Sequence, residues 1–385
     1  MPAADTETVP FDRAVNEILR QPVAAERDQP PFDRVTMDGI ALSWAGIKDG
    51  NRTLKVQSRQ HAGEPQQALE ADTNCIEIMT GAMLPGGADC IIPVERIAVD
   101  DGVATIEDGY AAEQHQFIHP RGSDYKEGEG LLAPGHRIRA TDIAVIASCG
   151  LPEVEIAKRP VISVVSTGDE LIPPGEEIDD HQIRMSNGPS VDALLRSHGY
   201  ASTKHHHLRD DKALLTERLQ ALLASSNVLV LSGGVSMGKA DFVPEVLQSL
   251  GVKVVFHKIR QRPGLPMWFG IGPADQAVFA LPGNPVSTLV CCRQYVVPAL
   301  AHAAGSNKPP ALRAVLDRDH TFKPDLTCFL PVRAHSGDNG ELLATPVPTN
   351  TSGDFRALSS TDGYVELARE RDQFPEGTVL PFHPW

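Results

Sequence analysis

Residues 161–170 read VISVVSTGDE, and this stretch decides the fold that we predict for the chain. The run 161–165 is β-branched except for Ser163, which is typical of a buried strand. A polar loop, Ser166 to Glu170, follows the strand directly. In open parallel sheets, loops at the carboxyl ends of strands bind ligands. The stretch therefore predicts both a buried parallel sheet and a ligand site at its edge.

The pattern downstream of this strand alternates between helices and strands. Helices are predicted at 189–198, 211–225, 243–250 and 285–300, and strands at 227–231, 252–257 and 277–281. Strands that alternate with helices of roughly 10–15 residues indicate a doubly wound, mostly parallel sheet. We expect this α/β domain to span residues 159–304.

Both flanks of the α/β domain have the pattern of small β-modules. Short β-like runs at 54–56, 75–79, 90–93 and 103–106 alternate with Gly, Pro and Asp clusters, and short strands return after residue 305. Apolar residues between Phe11 and Leu19 recur at helical spacing, which predicts an amphipathic helix near the start of the chain. The predicted fold class is therefore multidomain α/β plus β.

Composition excludes several classes of protein. The chain has 385 residues, 41% of them hydrophobic, and a net charge of −15 from 35 basic and 50 acidic residues. The acidic balance argues against a nucleic-acid-binding protein, and no apolar run is long enough to cross a membrane. The first ten residues are acidic without an apolar segment, so we expect no secretory signal and a cytoplasmic protein. The six cysteines form no C-x-x-C pair, which argues against a zinc site or a disulfide framework.

Three loops at predicted strand ends are candidates for binding an anionic ligand. The first contains Ser166, Thr167 and Gly168, and the second contains Gly233, Gly234 and Ser236. The third contains Pro282, Asn284 and Pro285, with Asn284 at the predicted N-cap of a helix and Pro285 at its first position. Glycines leave backbone N–H groups open to an anion, although any single loop of this kind is also an ordinary turn.

Charged residues accompany these loops. The carboxylates of Glu170, Asp210 and Asp241 are candidates for holding Mg²⁺, which prefers oxygen ligands, although Asp210 and Asp241 also suit helix starts. Lys258 and Arg262 are candidate cations for a phosphate or an oxyanion. The run His205-His206-His207 suggests a metal site, but adjacent residues of a strand face opposite sides and cannot all converge.

Six ordered motifs resemble those of the molybdopterin molybdenumtransferases, which are similar to the C-terminal domain of gephyrin. They extend over nearly the whole chain, from Val9 to about Pro375. The motifs are Pro31-Phe32-Asp33-Arg34 with Met37-Asp38-Gly39, Thr80-Gly81, Ser166 to Leu171, Ser232 to Gly238 with Asp241, Arg262-Pro263-Gly264, and Leu281 to Ser287.

The resemblance implies an elongated four-part subunit that forms a homodimer. Its parts would be a linking and dimerisation domain (1–30 and 125–158), a small β domain (31–124), the doubly wound domain (159–304) and a C-terminal β domain (305–385). The cleft would be shared between the doubly wound domain of one subunit and the small β domain of the other.

The resemblance also implies the reaction. Molybdate and adenylylated molybdopterin would react in a Mg²⁺-dependent step that inserts molybdenum at the dithiolene and releases AMP. The other partners implied are a molybdopterin adenylyltransferase and the molybdoenzymes or their chaperones, without nucleic acid or membrane.

Motif by motif, the resemblance assigns residues to the two sides of the cleft. Asp38, Thr80 and Asp124 would belong to the small-domain side. The doubly wound side would comprise Glu170, Asp210, Asp241, Lys258 and Arg262, with Pro282 and Pro285 at the rim. Among these, Asp38, Glu170, Asp210 and Asp241 would be catalytic.

Two other functions remain open from the sequence. Ile40 and Leu265 stand where the family usually has tyrosine and lysine, and they favour a non-catalytic paralogue that binds molybdopterin as a carrier or scaffold. The retained carboxylates favour the enzyme. A molybdopterin adenylyltransferase shares the doubly wound motifs, but it needs neither flanking β-module.

Overall fold

The computed structural model describes residues 2–201, 203–234, 242–348 and 353–385. The N-terminal part, through residue 157, contains twelve strands and one α-helix within the described residues, besides three short 3-10 helices. They are β1 Thr6–Pro10, β2 Val23–Ala24, β3 Arg34–Val35, β4 Gly39–Leu42, β5 Thr53–Gln60, β6 Asn74–Ile78, β7 Cys90–Pro93, β8 Ile97–Asp100, β9 Val103–Ile106, β10 Ile118–His119, β11 Gly130–Leu132, α1 Ala140–Ser148 and β12 Glu153–Ala157.

The two ends of this N-terminal part pack against each other, and the β-module is the stretch of chain between them. β1 pairs antiparallel with β12, β2 pairs with β11, and one buried core joins residues 14–23 to residues 138–156. The module itself is a six-stranded sheet in the order β7-β4-β6-β5-β9-β8, with separate apolar clusters.

The helix predicted between Phe11 and Leu19 is wrong. After β1, residues 11–13 form a single 3-10 turn, and Leu19 makes an isolated bridge to Ile156. Ala14 and Leu19 are fully buried, but Val15 is exposed. The apolar residues of this stretch are buried because it pairs with β12 and with residues 136–138. This tertiary pairing forms in place of a local helix.

The α/β domain follows at β13 Ile162–Thr167. Its further elements are β14 Leu171–Ile172, β15 Ile183–Arg184, α2 Asn187–Ser197, β16 Thr203–Leu208, α3 Lys212–Ser225, β17 Val228–Ser232, α4 Val243–Ser249, β18 Lys253–His257, β19 Gln261–Arg262, β20 Trp268–Ile271, β21 Ala277–Leu281, α5 Pro285–Cys291 and α6 Val297–Ala303, with a π-helical turn, Cys292–Val296, between the last two.

The sheet of this domain has the order β16-β13-β17-β21-β20-β18. The first four strands are parallel, and β20 pairs antiparallel with both β21 and β18, so that β18 runs in the direction of the first four strands. Helices α2, α5 and α6 pack on one face and α3 and α4 on the other. The doubly wound, mostly parallel sheet is thus confirmed. The helix predicted at 285–300 contains the π turn just before Pro298, which lacks the N–H that a continuous α-helix would need.

The C-terminal module is a small barrel with one helix. Its elements are β22 Arg313–Leu316, β23 His320–Thr321, β24 Thr327–Ser336, β25 Leu342–Pro346, α7 Phe355–Ser359, β26 Gly363–Leu367, β27 Gln373–Phe374 and β28 Val379–Pro384. Strands β24, β25, β22, β28 and β26 pair in a closed ring around an apolar core. The predicted fold class, α/β with β-modules on both sides, is confirmed.

Candidate functional site

Three strand ends meet at the carboxyl edge of the parallel sheet. The register places Ser166 of β13 beside Ser232 of β17, and Ser232 beside Leu281 of β21. The loops that follow are also in contact, because the N–H of Gly233 donates to the carbonyl of Leu281 at 3.4 Å. The loops identified from the sequence therefore form one surface.

Gly233 and Gly234 leave no room for a side chain in the middle of this surface. Their φ angles are 96° and 65°, in the left-handed region. A Cβ on Gly233 would lie 2.6 Å from the carbonyl oxygen of Thr167, and a Cβ on Gly234 would lie 2.7 Å from Val243 Cγ2. Glycine is therefore required for the close approach of the second loop to the first.

Thr167 places an unsatisfied hydroxyl at this contact. The residue is 4% exposed, and its Oγ1 has no hydrogen-bond partner among the described residues. That oxygen lies 3.0 Å from the Cβ position built on either glycine of the second loop. Because a buried hydroxyl without a partner costs about 1–3 kcal/mol, this atom indicates where a polar ligand or water belongs.

Asp169 and Asp210 lie close together at the ends of the adjacent strands β13 and β16. The Oδ1 of Asp169 accepts from Arg209 Nε at 3.0 Å and from the N–H of Asp210 at 3.4 Å. The Arg209 guanidinium holds the pKa of the Asp169 carboxyl below its usual value. Glu170 is exposed beside them, and its Oε2 lies 2.7 Å from the Cβ position of Gly168. Glu170 and Asp210 thus leave the same edge of the sheet on neighbouring strands.

Two side-chain hydrogen bonds hold the backbone of the third loop. Asn284 precedes the first residue of α5, Pro285, in the N-cap position that the sequence predicted. Thr288 Oγ1 donates to the carbonyl of Pro282 at 2.6 Å, and Asn187 Nδ2 donates to the carbonyl of Gly283 at 2.7 Å. Sequence reasoning missed Asn187, Asp169 and Arg209, because their contacts depend on which strands and loops are neighbours.

Lys258 and Arg262 lie in the segment between β18 and β20. Lys258 has a φ of 74°, an uncommon conformation for lysine, and its N–H donates to the carbonyl of Met267 at 2.8 Å. Arg262 lies on β19, which pairs with β24 of the barrel, so that Arg262 stands opposite Cys328. Arg262 is therefore positioned by the C-terminal module and not by the three loops.

Asp38, Thr80 and Asp124 belong to a second group in the β-module. Asp38 Oδ1 accepts from both the N–H and the hydroxyl of Thr80, each at 2.6 Å, and these bonds lower the pKa of Asp38. Asp124 Oδ1 lies 3.0 Å from His119 Nε2, while Arg34 donates to His119 Nδ1 at 3.0 Å. The ring therefore carries its proton on Nε2 and donates it to Asp124.

This second group is separate from the sheet edge within one subunit. Every hydrogen bond that Asp38, Thr80 and Asp124 make among the described residues stays within residues 29–124. Two other predicted residues, Ser236 and Asp241, lie outside the described residues. Among the described residues, Asp38, Thr80 and Asp124 thus lie on the β-module, whereas Glu170 and Asp210 lie at the edge of the parallel sheet.

A cavity lies at the opposite edge of the sheet. It has a volume of about 570 Å³ and is bordered by residues 2–5 and by the segments that precede β13, β17 and β21. Since the loops after the strands are at the other edge, this cavity does not belong to the candidate site.

The cysteines offer no thiolate to a metal. All six are free and buried, and burial raises the pKa of Cys75 to about 12 and that of Cys90 to about 11. Within residues 2–201, 203–234, 242–348 and 353–385, no three His, Cys, Asp or Glu side chains cluster closely enough to hold a metal ion. In the same ranges, no helix has the length and apolar character required to cross a membrane.

The donor set at the sheet edge nevertheless fits Mg²⁺. This ion is commonly held by one or two carboxylates, with waters and substrate phosphates completing its shell. Glu170 and Asp210 supply such carboxylates in the segments that follow the adjacent strands β13 and β16.

Family comparisons cover all three parts of the chain. Residues 1–150 match the MoeA N-terminal region (domain I and II), residues 163–302 match a probable molybdopterin binding domain, and residues 313–385 match the MoeA C-terminal region (domain IV).

Relatives and solved structures agree with these matches. The chain is 37% identical over 379 residues to a molybdopterin molybdenumtransferase from Synechocystis, covering 98% of this chain and 95% of the relative. It is 30% identical to one from Haemophilus influenzae, covering 99% and 94%. The structure of a molybdopterin biosynthesis MoeA protein from Pyrococcus horikoshii superposes with a TM-score of 0.82 at 25% identity, covering 99% and 95%. The chain therefore belongs to the molybdopterin molybdenumtransferase family.

Proposed function

We propose that this protein is an enzyme of molybdenum cofactor biosynthesis, which inserts molybdenum from molybdate into adenylylated molybdopterin with release of AMP. The observation that carries the proposal is the sheet edge itself. Three neighbouring strands end there. They lead to the second loop with Gly233 and Gly234, to the unsatisfied Thr167 hydroxyl and Glu170, and to Asp210. Family membership and the names of the relatives support the same reaction.

The residues at this edge divide into two roles. The backbone at Gly234 and the hydroxyl of Thr167 bind the phosphate end of the substrate, and Gly233 allows the close approach of the two loops. The other substrate-binding residues are Ser166, Gly168, Ser236 and Asn284, with Pro282 and Pro285 at the rim. Glu170 and Asp210, together with Asp241, hold Mg²⁺ and position the water that cleaves the phosphoanhydride. When bound, Mg²⁺ neutralises charge on the phosphate oxygens.

Lys258 and Arg262 supply positive charge for molybdate or phosphate in this proposal. Asp38, Thr80 and Asp124 complete the cleft from the β-module of a second subunit, so the protein acts as a homodimer. We place it in the cytoplasm, between a molybdopterin adenylyltransferase that makes the substrate and the molybdoenzymes or chaperones that receive the product.

The non-catalytic alternative rests on Ile40 and Leu265. Ile40 is fully buried in the core of the β-module, opposite Ile92 of β7 and Glu77 of β6, so its side chain offers no surface to a ligand. Leu265 is 40% exposed in the turn after Arg262. Neither residue belongs to the loop that contains Gly233 and Gly234, and neither replaces the Glu170 or Asp210 carboxylate. The enzyme is therefore the favoured function.

The direct test mixes the purified protein with adenylylated molybdopterin, Mg²⁺ and molybdate and measures AMP. We expect AMP to form, to depend on Mg²⁺ and to stop when EDTA is added. A Glu170→Ala variant provides the baseline. If the wild-type protein binds molybdopterin but releases no more AMP than this variant, the carrier or scaffold function is correct instead.

Asp211 offers a matched control for the carboxylates. It is the N-cap of α3, and its Oδ1 accepts from the N–H of Leu214 at 2.8 Å. Asp211→Ala is therefore expected to lower the free energy of unfolding by about 1 kcal/mol while turnover is retained. Asp241→Ala, in contrast, is expected to lose far more turnover. Urea denaturation and AMP release measure the two effects, and equal losses of turnover would contradict the assignment of the cleft.

A further inference from the structure

His207 reaches from the edge strand of the sheet to the first loop of the site. On β16 it stands opposite Ser166 of β13. Its Nε2 lies 2.9 Å from the carbonyl oxygen of Gly168. Because a carbonyl only accepts, the ring carries its proton on Nε2 and donates it to Gly168.

The residues after His207 hold the same loop. The carbonyl of Leu208 accepts from the N–H of Gly168 at 3.2 Å, and Arg209 Nε donates to Asp169 at 3.0 Å. Three consecutive residues of β16 and its end therefore fix Gly168 and Asp169, the two residues that precede Glu170. His205, on the same face as His207, lies 3.0 Å from Ser166 Oγ.

We propose that His207 is a positioning residue that sets the orientation of Glu170 through the carbonyl of Gly168. The Glu170 carboxylate occupies the space beside Gly168 that a side chain would need, since its Oε2 lies 2.7 Å from the Cβ position built on this glycine. We therefore expect a change in the orientation of the Gly168–Asp169 peptide to shift the side chain of Glu170.

The three consecutive histidines of β16, His205 to His207, do not share one face of the strand. His206 is on the opposite face of β16 from His205 and His207, by strand alternation. Among the described residues its Nε2 is buried without a hydrogen-bond partner. The three rings thus have different surroundings: among the hydrogen bonds of the described residues, His205 contacts the Ser166 hydroxyl, whereas His207 contacts Gly168, two residues before Glu170. His206 is therefore the matched control.

The kinetic consequence rests on the proposed function. His207→Ala removes the donor to Gly168, whereas the second and third loops still bind the phosphate end of the substrate. We therefore expect kcat for AMP release to fall about tenfold, with KM for adenylylated molybdopterin changed by less than about twofold. His207→Gln keeps an N–H donor and is expected to recover most of kcat, and His206→Ala is expected to retain it.

A measurement without substrate separates this proposal from the proposed function. Hydrogen exchange of the peptide covering residues 166–172 is expected to be faster in His207→Ala than in the wild-type protein and in His206→Ala. If the wild-type protein releases no AMP, the proposed function fails, and the exchange result still decides whether His207 has a positioning role.

Equal exchange in His207→Ala and His206→Ala overturns the positioning role. An unchanged kcat with a raised KM also overturns it, since the histidine would then act on binding. If His207→Ala fails to fold, the same comparisons are made with His207→Leu, which also lacks the donor, and His207→Gln remains the variant that keeps it.

Discussion

Replacing Glu170 by glutamine is expected to lower AMP release by about a hundredfold or more while the fold is retained. The side chain is exposed in the loop that follows β13, so its loss removes no apolar packing. Its backbone carbonyl, which accepts from the N–H of Ile183 at 2.8 Å, is unaffected by the substitution. Glutamine keeps the size of the side chain and removes only the negative charge.

Glu177 provides the control in the same segment. It is exposed between β14 and β15, seven residues after Glu170. Glu177→Gln therefore makes the same chemical change away from the strand end, and we expect turnover to be unchanged. The measurement is AMP release as a function of Mg²⁺ concentration, together with thermal unfolding of both variants. Equal turnover in the two variants would remove Glu170 from the site.

The Mg²⁺ dependence distinguishes the role of Glu170 further. If the carboxylate helps to hold the ion, the variant should need more Mg²⁺ to reach its own maximal rate, because one charged ligand is lost. A variant with low turnover and an unchanged Mg²⁺ requirement would instead assign Glu170 to the water or the phosphoanhydride alone.

The sequence predicted the loops of the site well, for a physical reason. Loops after parallel strands must leave the same edge of the sheet, so buried strands at 161–165, 227–231 and 277–281 were sufficient to predict that the loops meet. The order of the strands in the sheet could not be predicted in this way. That β16 lies beside β13, and so brings His207 and Arg209 to the first loop, follows from packing that local patterns do not encode.

Long-range pairing also determines contacts that local sequence patterns do not show. The contact between Asp38 and Thr80 crosses 42 residues and depends on the pairing of β4 with β6. Arg262 was predicted beside the loops as a cation, but its strand is an extension of the barrel sheet. The early apolar pattern between Phe11 and Leu19 was misinterpreted for the same reason, since its partner is β12.

The division of the site into two groups leads to the last prediction. Asp38 and Glu170 lie on different modules, and we propose that a working cleft combines Glu170 of one subunit with Asp38 of the other. Asp38→Asn keeps an oxygen that accepts from Thr80, so the β-module should fold normally. Asp38→Asn and Glu170→Gln homodimers should then each be nearly inactive, because every cleft lacks one carboxylate.

Mixing these two variants under conditions that allow subunit exchange is expected to restore about a quarter of the wild-type rate of AMP release. Random pairing places half of the subunits in mixed dimers, and each mixed dimer has one cleft with both carboxylates and one with neither. Mixing Glu170→Gln with the Asp38→Asn, Glu170→Gln double variant is the control, and it should restore nothing. If Asp38 and Glu170 of the same subunit formed the cleft, no mixture would recover activity, because each chain would keep its own defect. Activity that rises with the extent of subunit exchange is therefore specific to a cleft that two subunits share.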